Sequence, residues 1–413
     1  MDDTVIQDFD AGRALMDSAF SARVQLSDEQ HRLDISQKDR TSALPWRGQF
    51  SPQLIEYLLD KHCRAGDTVL DPFCGSGTVL HEAARANMNA VGLDVNPAAV
   101  CLAKVSEIAR TKMEFRWKLA EEIRGFSTEL QMAAGRTEGK VITSDAVKLL
   151  NEKQLDYIER VAFEGFLLFV FANAHTALER KVAKSTDRYL STLLDVPKFD
   201  GRIEAKVGDA RSVKVDDGTF DYLVTSPPYI NVFNYHQNYR PIIEALGHTP
   251  LAAARSEIGA NRKFRQNRYM TVIQYCMDMA QFFLEAERVL KDGASLTIVL
   301  GRESNVRSVP FKNGEMISAL ACEGMGFKLT DWHERKFMNR FGESIYEDVL
   351  TIIPSKVPGT HAVEIGRSVG KQALQNALNY CPSERSDEIA DAVEAATKIE
   401  NSPLVQECDQ WFK

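Results

Sequence analysis

Strand-like apolar runs alternate with helical patterns along much of this 413-residue chain. The strand-like runs are TVLDPF (68–73), NAVGLDV (89–95), RIEAKVGDA (202–210), FDYLVT (220–225) and GASLTIVLG (293–301). Apolar residues at helical spacing occupy residues 51–62, 75–86, 96–110 and about 270–291. Alternation at this spacing is typical of a parallel sheet flanked by helices. The sequence therefore predicts an α/β fold.

The α/β pattern also divides the chain into regions. Helix-forming sequence with little strand signal interrupts the alternation after residue 110, and a pair of strand-like runs at 327–337 and 346–354 predicts a closing antiparallel pair. The predicted regions are an N-terminal arm (1–40), the α/β core (41–110 and 201–355), a helical insertion (111–200) and a small helical C-terminal tail (356–413).

Composition limits the classes of protein to which this chain can belong. No apolar run approaches the ~18 residues that a membrane span needs, and the acidic start MDDTVIQDFD is unlike a signal or transit peptide. Seven scattered cysteines without a CxxC pair favour a reducing cytoplasm over disulfides or structural zinc. The net charge of −8 means that a nucleic-acid-binding protein of this composition needs a local basic patch.

The segment DPFCGSGT (71–78) follows the first predicted strand and opens a helix. Its glycines permit a tight turn and close approach of a ligand, and a helix N-terminus offers unpaired N–H groups. No Lys-Ser or Lys-Thr follows, so the turn is not a phosphate loop, and Asp71 would repel a pyrophosphate. An acidic turn suits a cationic ligand without phosphate, such as S-adenosylmethionine. The residues assigned to this cofactor are Asp71, Pro72, Phe73, Cys74, Gly75, Gly77 and Thr78.

Two further acids end neighbouring strand-like runs. Asp94 ends the second run, where an acid accepts hydrogen bonds from ribose hydroxyls in dinucleotide-binding folds. Asp209 ends the third run, where we expect it to meet an adenine amino group. Because ligands bind at the carboxyl ends of parallel strands, Asp71, Asp94 and Asp209 together indicate one cofactor site. An acid at a single strand end is more often a helix cap, and that interpretation stays open for each of them alone.

The fourth strand-like run ends in TSPPY (225–229). Prolines stop a strand because they lack the backbone donor, and this pair presents carbonyl oxygens in a fixed direction. With the Ser226 hydroxyl they supply two acceptors for one amino group, as methylation of an exocyclic base amine requires. Tyr229 is predicted to stack on a base flipped from the duplex. The predicted catalytic residues are Ser226, Pro227, Pro228 and Tyr229, and Thr225 is added to the cofactor site. The alternative is a strand that simply ends in a proline turn.

In combination, these segments resemble the amino-group DNA methyltransferases of restriction–modification systems. DPFCGSGT resembles their cofactor motif, and TSPPY resembles their catalytic motif in the serine form more typical of cytosine-N4 than of adenine-N6 enzymes. LPWRGQFSPQLIEYLL (44–59), which contains Phe50, resembles the segment that closes over the methionine end of the cofactor. RFGESIYEDVLTIIP (340–354) resembles the late strand region, and the resemblance covers roughly residues 44–110 and 200–355.

This resemblance implies a fold, a reaction and partners. The fold is that of an S-adenosylmethionine-dependent methyltransferase, with a Rossmann-like sheet, and the reaction is methyl transfer to DNA, first of all to N4 of cytosine. S-adenosyl-L-methionine is the implied cofactor and double-stranded DNA the implied partner, with a cognate restriction endonuclease or defence-system subunit beside it. A prokaryotic, cytoplasmic and nucleoid-associated protein is implied. The cofactor motif precedes the catalytic motif, and the block 111–200 separates the second and third acid-bearing strands; both features depart from the family pattern.

A basic loop follows the catalytic motif. Arg240 precedes RSEIGANRKFRQNRY (255–269), in which Phe264 and Tyr269 stand among cations, a pattern that suits phosphate contact and stacking. A solvated surface loop is the alternative. Target recognition is assigned to the helical insertion, helped by this loop. The predicted DNA-binding residues are Arg240, Arg255, Arg262, Lys263, Arg265 and Arg268, with Asn234, Tyr235, His236 and Asn238 as weaker candidates for base contact.

Other functions remain as alternatives. Adenine N6 in DNA is the nearest, followed by an amino group in RNA, although such RNA enzymes usually carry an N-terminal RNA-binding module. A cytosine-C5 enzyme needs a cysteine nucleophile in a Pro-Cys loop after the fourth strand, and no cysteine directly follows Pro228. A protein-glutamine enzyme usually carries Asn in place of Ser226. A DNA-binding regulator that retained the fold is the non-enzymatic alternative.

Overall fold

The structure is a computed structural model that describes most of the chain. The described residues are 27–35, 42, 44–46, 48–136, 138–172, 174–230, 237–260, 264–339, 342–355 and 361–405. The predicted DNA-binding residues Arg262 and Lys263 lie outside the described residues, as do Asn234, Tyr235 and His236.

Helices and strands alternate through the first half of the described chain. The helices are α1 (Ser27–Leu33), α2 (Pro52–His62), α3 (Thr78–Arg85), α4 (Pro97–Ala103), α5 (Met113–Gly135), α6 (Thr143–Asn151), α7 (Tyr157–Phe171), α8 (Glu179–Asp195), α9 (Arg240–Ala245), α10 (Pro250–Ala253), α11 (Met270–Val289), α12 (Asn313–Ser318), α13 (Ala362–Ala377) and α14 (Ser386–Glu394). The strands are β1 (Thr68–Asp71), β2 (Asn89–Asp94), β3 (Lys140–Ile142), β4 (Thr176–Leu178), β5 (Ile203–Val207), β6 (Phe220–Thr225), β7 (Leu290–Gly301), β8 (Glu303–Val306), β9 (Val309–Lys312), β10 (Lys328–Met338) and β11 (Ser344–Ile353). Among the described helices, none is long and apolar enough to cross a membrane.

The described residues form two compact units. The β1 unit, which contains β1, takes the described residues within Asp39–Asp209, Asn234–Ser256 and Val405–Lys413. The β6 unit, which contains β6, takes those within Met1–Lys38, Ala210–Phe233 and Glu257–Leu404. The predicted α/β core therefore contributes strands to both units.

Three parallel strands organise the β1 unit. The order is β1-β2-β5, with Asp71 paired to Gly92 and Asp94 paired to Val207. The strands are short and apolar, and α3 packs its buried residues against β2, which is how an α/β layer hides both faces of a parallel sheet. Because the strands are parallel, their carboxyl ends lie at one edge. The ends of β1, β2 and β5 are thus placed side by side.

The β6 unit combines one parallel pairing with two antiparallel ones. Its strands follow the order β10-β11-β7-β6, in which β6 and β7 are parallel while β11 pairs antiparallel with both β7 and β10. Three hydroxyls cross the buried interior of these strands: Tyr222 donates to Thr297 Oγ1 over 2.6 Å, and Thr297 and Thr351 lie 3.0 Å apart. Buried hydroxyls need such partners to offset their lost hydration.

These pairings confirm the predicted α/β class with a Rossmann-like arrangement of strands and helices. The predicted closing pair is present as antiparallel β10 and β11. Two details differ from the sequence-based expectation. The segment after the catalytic motif, predicted as a basic loop, contains the short helices α9 and α10. In addition, an antiparallel hairpin, β8–β9, follows β7.

The insertion is mainly helical and has its own aromatic core. Helices α5, α7 and α8 pack together around Phe126, Phe163, Phe166 and Tyr189, all of them buried. It also holds a short antiparallel pair, β3–β4, that the sequence did not predict. The insertion is tied to β5 through Glu107, which accepts hydrogen bonds from the Tyr157 hydroxyl (2.8 Å) and the Ala205 N–H (3.0 Å). Burial raises the pKa of that carboxyl.

A buried ion pair anchors the C-terminal segment in the β6 unit. Arg211 Nη1 lies 3.0 Å from Asp278 Oδ1, and both side chains are fully buried. Arg211 also donates to the carbonyl of Ser402, while the Ser402 hydroxyl donates to Asp278 Oδ2 over 2.6 Å. A buried ion pair persists only when such hydrogen bonds satisfy its remaining donors and acceptors. The pair therefore fixes the chain around residue 402.

Candidate active site

The glycine-rich turn after β1 uses its own backbone donors internally. The donors and acceptors are Phe73 N to Asp71 Oδ1 (3.2 Å), Cys74 N to Leu93 O (2.8 Å), Gly75 N to Asp94 Oδ2 (3.1 Å) and Gly77 N to Cys74 O (2.8 Å). A phosphate loop keeps such N–H groups directed at the ligand. These four N–H groups therefore have protein acceptors, unlike those of a phosphate loop.

Close packing explains both glycines of the turn. Gly75 has φ +50°, and a Cβ there would lie 2.9 Å from Trp46 Cδ1. Gly77 has φ +85°, and a Cβ there would lie 2.9 Å from the Ala103 Cα. A side chain at either position would meet both backbone strain and a neighbour. The glycines thus hold the turn between the segment around Trp46 and the end of α4.

The three acids predicted to bind the cofactor lie in the β1 unit, at the carboxyl ends of its parallel strands. Asp71 is buried, whereas Asp94 is half-buried and accepts from the N–H groups of Gly75 (3.1 Å) and Asn96 (2.8 Å). The side chain that caps α4 is that of Asn96, which accepts from Ala98 N over 2.9 Å. A carboxylate with two protein donors keeps lone pairs for a ligand. These hydrogen bonds orient the Asp94 carboxylate.

Asp209 has a partner that the sequence did not predict. Its carboxylate is buried, and Oδ2 accepts the backbone N–H of Val405 over 3.0 Å. The C-terminal segment therefore supplies part of the surroundings of the third acid.

Cys74 lies within the turn but is held as a thiol. Burial, followed by the negative charges of Asp94 and Asp71, raises its pKa well above the usual value. A thiol kept protonated in this way is a poor nucleophile. This agrees with the argument that the chain lacks the cysteine chemistry of carbon-5 methylation.

The segment before α2 covers the turn. Ser76 Oγ donates to the carbonyl of Leu44 (3.3 Å) and to Gln49 Oε1 (3.2 Å), and Ser42 Oγ donates to the carbonyl of Phe50 (2.7 Å). These bonds hold the residues around Phe50 against the turn. From the family resemblance, this segment is predicted to close over the methionine end of the cofactor.

A stacked aromatic pair adds to this cover. The rings of Trp46 and Tyr239 are 5.9 Å apart and parallel to within 2°, and the Tyr239 hydroxyl donates to the carbonyl of Pro45 over 2.5 Å. Tyr239 stands in the left-handed region with φ +59°, just before α9. A non-glycine residue in this conformation needs compensating contacts, which the ring and the hydroxyl supply. Sequence reasoning assigned no role to either ring, although Trp46 lies in the segment 44–59.

The predicted catalytic residues lie in the β6 unit, directly after β6. Ser226 is half-buried, and its Oγ lies 3.4 Å from the Tyr229 hydroxyl. Pro227 is buried, while Pro228 and Tyr229 are half-buried. Thr225, predicted to touch the cofactor, is fully buried at the end of β6. The strand therefore delivers a hydroxyl and a half-exposed aromatic ring at its carboxyl end.

Two glycines make room for Tyr229. A Cβ at Gly301 would lie 3.0 Å from Tyr229 Cε2, and a Cβ at Gly259, whose φ is +70°, would lie 2.8 Å from the Tyr229 carbonyl oxygen. The end of β7 is pinned nearby, because Asn313 Nδ2 donates to the Gly301 carbonyl over 2.7 Å. Tyr275 packs against Gly259 and is fully buried, which raises the pKa of its hydroxyl. These contacts fix the orientation of the Tyr229 ring.

The predicted DNA-binding residues differ in their ion pairing and in their exposure to solvent. Arg240 forms an ion pair with Glu244, with Nε and Oε1 2.6 Å apart, inside α9. Arg255 and Arg265 are exposed and Arg268 is half-buried. Asn238 is buried, so its side chain faces the protein. Of this set, Arg255 and Arg265 are the described residues most open to a partner.

This chain is similar to known DNA methyltransferases. A family model described as DNA methylase (N6_N4_Mtase) matches residues 23–105. The Type II methyltransferase M.MjaII of Methanocaldococcus jannaschii is 28% identical over 181 residues, 40% of this chain and 33% of the relative. The Type II methyltransferase M.BsoBI of Geobacillus stearothermophilus is 23% identical over 258 residues, 48% of this chain and 51% of the relative. The chain thus spans about a third to a half of the length of these curated relatives.

A tRNA (guanine(10)-N2)-dimethyltransferase of Methanothermobacter thermautotrophicus is 30% identical over 112 residues, 27% of this chain and 26% of that relative. Among solved structures, a SAM-dependent methyltransferase from Methanosarcina mazei is 14% identical, with 72% of this chain and 98% of that chain covered and a TM-score of 0.35. The fold assignment rests on the strand pairings themselves. The family match over residues 23–105 and the Type II relatives make this chain similar to amino-group DNA methyltransferases, and they support S-adenosylmethionine as its cofactor.

Proposed function

We propose that this protein methylates an exocyclic base amine in double-stranded DNA, with N4 of cytosine as the target. The observation that carries the proposal is the TSPPY motif after β6, where the Ser226 hydroxyl stands half-buried beside Tyr229. The serine form of this motif is what favours cytosine over adenine. The similarity to Type II methyltransferases supports DNA as the substrate.

The chemistry asked of Ser226 and the proline pair is acceptance of hydrogen bonds. The nitrogen lone pair of an exocyclic base amine is delocalised into the ring, so the amine is a weak nucleophile. Acceptors on both N–H bonds draw the nitrogen toward a tetrahedral shape and free the lone pair. The 3.4 Å separation lets the Ser226 hydroxyl donate to Tyr229, which leaves the Oγ lone pairs for the amine. Preorganised acceptors of this kind stabilise charge that develops in the transition state.

Tyr229 is assigned to the target base. Its ring is half-buried and packs against Gly301, and we propose that it stacks on the base. Stacking on an aromatic ring is worth about 1–3 kcal/mol per base. A flipped base gains this contact and loses its pairing and stacking in the duplex.

The cofactor is assigned to the acidic turn of the β1 unit. Asp94 is proposed to accept from the ribose hydroxyls, Asp209 from the adenine amine, and Asp71 to favour the cationic end of the ligand. Phe50 and the turn 71–78 complete the set. When bound, S-adenosylmethionine supplies an electrophilic methyl group. The β1 unit is proposed to hold this cofactor, and Ser226 of the β6 unit is proposed to hold the amine.

The wider setting belongs to the same proposal. We place the protein in a prokaryotic cytoplasm, associated with the nucleoid and acting beside a cognate restriction endonuclease or defence-system subunit. Adenine N6 is the first alternative target. An amino group of RNA is the second, because one relative is named as a tRNA guanine-N2 enzyme.

The roles of the two motifs are tested by separating binding from methyl transfer. Ser226→Ala is expected to keep cofactor affinity, measured by calorimetry, and to lower methyl transfer roughly 100- to 1000-fold, the range for loss of one preorganised transition-state contact. Ser212→Ala, an exposed serine of the same unit, is the matched control and should retain full activity. Normal turnover by Ser226→Ala would exclude the serine as the acceptor.

A further inference from the structure

Helix α8 of the insertion has two distinct faces. Its buried face carries Val182, Tyr189 and Leu193, and the Tyr189 hydroxyl donates to the Ala162 carbonyl over 2.6 Å. Ser127 of α5 and Thr186 of α8 share a buried hydrogen bond of 2.6 Å. Apolar residues at this spacing fix which side of a helix faces the core. The opposite side of α8 is therefore held toward solvent.

Three cations line that solvent side at intervals of four residues. Arg180, Lys184 and Arg188 are all exposed, and we call them the basic stripe. Residues four apart lie on one face of a helix, about 6 Å apart along its axis. The stripe thus presents three positive charges in a row about 12 Å long.

The stripe is not neutralised by ion pairs. In the described part of the chain, no carboxylate lies within ion-pair distance of Arg180, Lys184 or Arg188. The acid nearest in position on this face, Asp187, lies 3.9 Å from Arg124 of α5 instead. Uncompensated charge on one face produces a local positive potential in a chain whose net charge is −8.

Other exposed cations of the same unit have partners. Lys118 Nζ lies 3.3 Å from Glu122, Arg202 Nη2 lies 2.9 Å from Glu204, and Lys198 forms an ion pair with Asp200. Each of these charges is largely cancelled at short range. The stripe therefore differs from these three paired positions.

The stripe ends at a cavity that reaches the cofactor turn. Arg188, Ser191 and Thr192 of α8 line a cavity of about 610 Å³, and Ser76 and Gly77 line it from the turn. The Arg188 guanidinium also lies 5.9 Å from the Phe169 ring centroid, which orients it along the wall. The end of the stripe and the cofactor turn therefore border the same cavity, whose lining also includes Glu82, Asp187 and Asp195.

We propose that the basic stripe contacts the phosphate backbone of DNA. The inference rests on the proposed function and adds a second contact surface to it, distinct from the loop 255–268. Exposed Arg and Lys side chains without carboxylate partners are the groups that neutralise phosphates and release counterions. Such contacts position the duplex without reading its sequence. An acidic protein is the other partner that this charge pattern would attract, and the experiment separates the two.

The test is the salt dependence of binding to a mixed-sequence DNA duplex, measured with S-adenosylhomocysteine present. Each phosphate contact contributes about 0.9 to the slope of log K against log salt. The triple variant R180Q/K184Q/R188Q should therefore lower the slope by about 2.7. The double variant R180Q/K184Q, which leaves the cavity lining unchanged, should lower it by about 1.8. Cofactor binding by calorimetry should stay at the wild-type value in both.

The matched control removes the same charge from paired positions. K118Q/K198Q/R202Q changes the net charge of the β1 unit as much as the triple variant does, and it should leave the slope unaltered. Slopes equal to wild type in the stripe variants would overturn the proposal and point to a protein partner. An equal fall in the control would overturn it as well, since net charge alone would then explain the effect.

Failure of this inference is distinguishable from failure of the proposed function. If the wild-type protein methylates DNA while the stripe variants keep its slope, only the stripe assignment is wrong. If the wild-type protein binds DNA and the variants lower the slope, but no DNA base is methylated, the stripe stands and the reaction is wrong. Wild-type protein without salt-dependent DNA binding overturns the stripe assignment whatever its activity.

Discussion

Replacing Gly77 by alanine tests how the cofactor turn is held in place. Gly77 precedes α3 with φ +85°, and an added Cβ would lie 2.9 Å from both the Cα and the Cβ of Ala103. Ala103 is fully buried at the end of α4, so its backbone has little room to move. The substitution therefore adds a backbone strain and a steric contact at the same point.

The two contributions are separable because the β1 unit offers a matched control. Gly66 has φ +92°, and a Cβ there would meet nothing within 4 Å. A left-handed conformation costs an L-residue about 1–2 kcal/mol, which is the whole expected loss of unfolding free energy for Gly66→Ala. Overpacking against a fixed neighbour typically costs a further 1–3 kcal/mol. Gly77→Ala is thus expected to lose about 2–5 kcal/mol.

The assay compares urea unfolding and cofactor calorimetry for both variants. Gly66→Ala should bind S-adenosylmethionine like wild type despite its lower stability, because Gly66 lies outside the turn. Gly77→Ala should lose binding by at least tenfold, since relieving the contact with Ala103 displaces the turn. Equal stability losses in the two variants, with equal cofactor affinity, would refute the reasoning that packing on α4 positions the turn.

Three smaller perturbations probe the rest of the site. Asp94→Asn removes the charged acceptor that the Gly75 N–H orients, so cofactor binding measured by calorimetry should weaken by about 1.5–3 kcal/mol; an unchanged Kd would remove Asp94 from the ribose site. Tyr239→Phe keeps the aromatic stack but loses the hydrogen bond to the Pro45 carbonyl. This loss should weaken cofactor binding by roughly 0.5–1.5 kcal/mol. Wild-type affinity would mean that this segment does not cover the cofactor. Because burial raises the pKa of Cys74, its peptide should resist iodoacetamide at pH 8 in the native protein and react after unfolding, and rapid native labelling would contradict this.

Local sequence signals account for much of this fold. The runs ending in Asp71 and Asp94 are short, apolar and bounded by turn residues, so their identity as strands does not depend on distant contacts. The glycines of the turn are required by its own backbone geometry. The closing pair β10–β11 is likewise predictable from local sequence, because its two long strands are joined by a short connection.

Contacts between distant residues account for what the sequence did not reveal. The strands β3 and β4 are three residues each, too short to produce an alternating pattern, and they pair only because the insertion brings them together. The bond from the Val405 N–H to Asp209 joins residues 196 positions apart. Likewise, nothing near Trp46 in the sequence indicates that its ring will stack on Tyr239. Such pairings follow from tertiary packing, which periodicity does not encode.

The most direct test of the central claim is mass spectrometry of the methylated nucleosides. The purified protein would be incubated with S-adenosylmethionine and mixed-sequence duplex DNA, or with tRNA in parallel, and the nucleic acid digested. We predict N4-methyldeoxycytidine in the DNA digest, formed roughly 100- to 1000-fold more slowly when Ser226→Ala replaces the wild-type protein. N6-methyldeoxyadenosine would retain the mechanism and correct the base. Methylation of tRNA alone, or of neither nucleic acid by protein that binds the cofactor, would contradict the proposal that this chain is a DNA amino-methyltransferase.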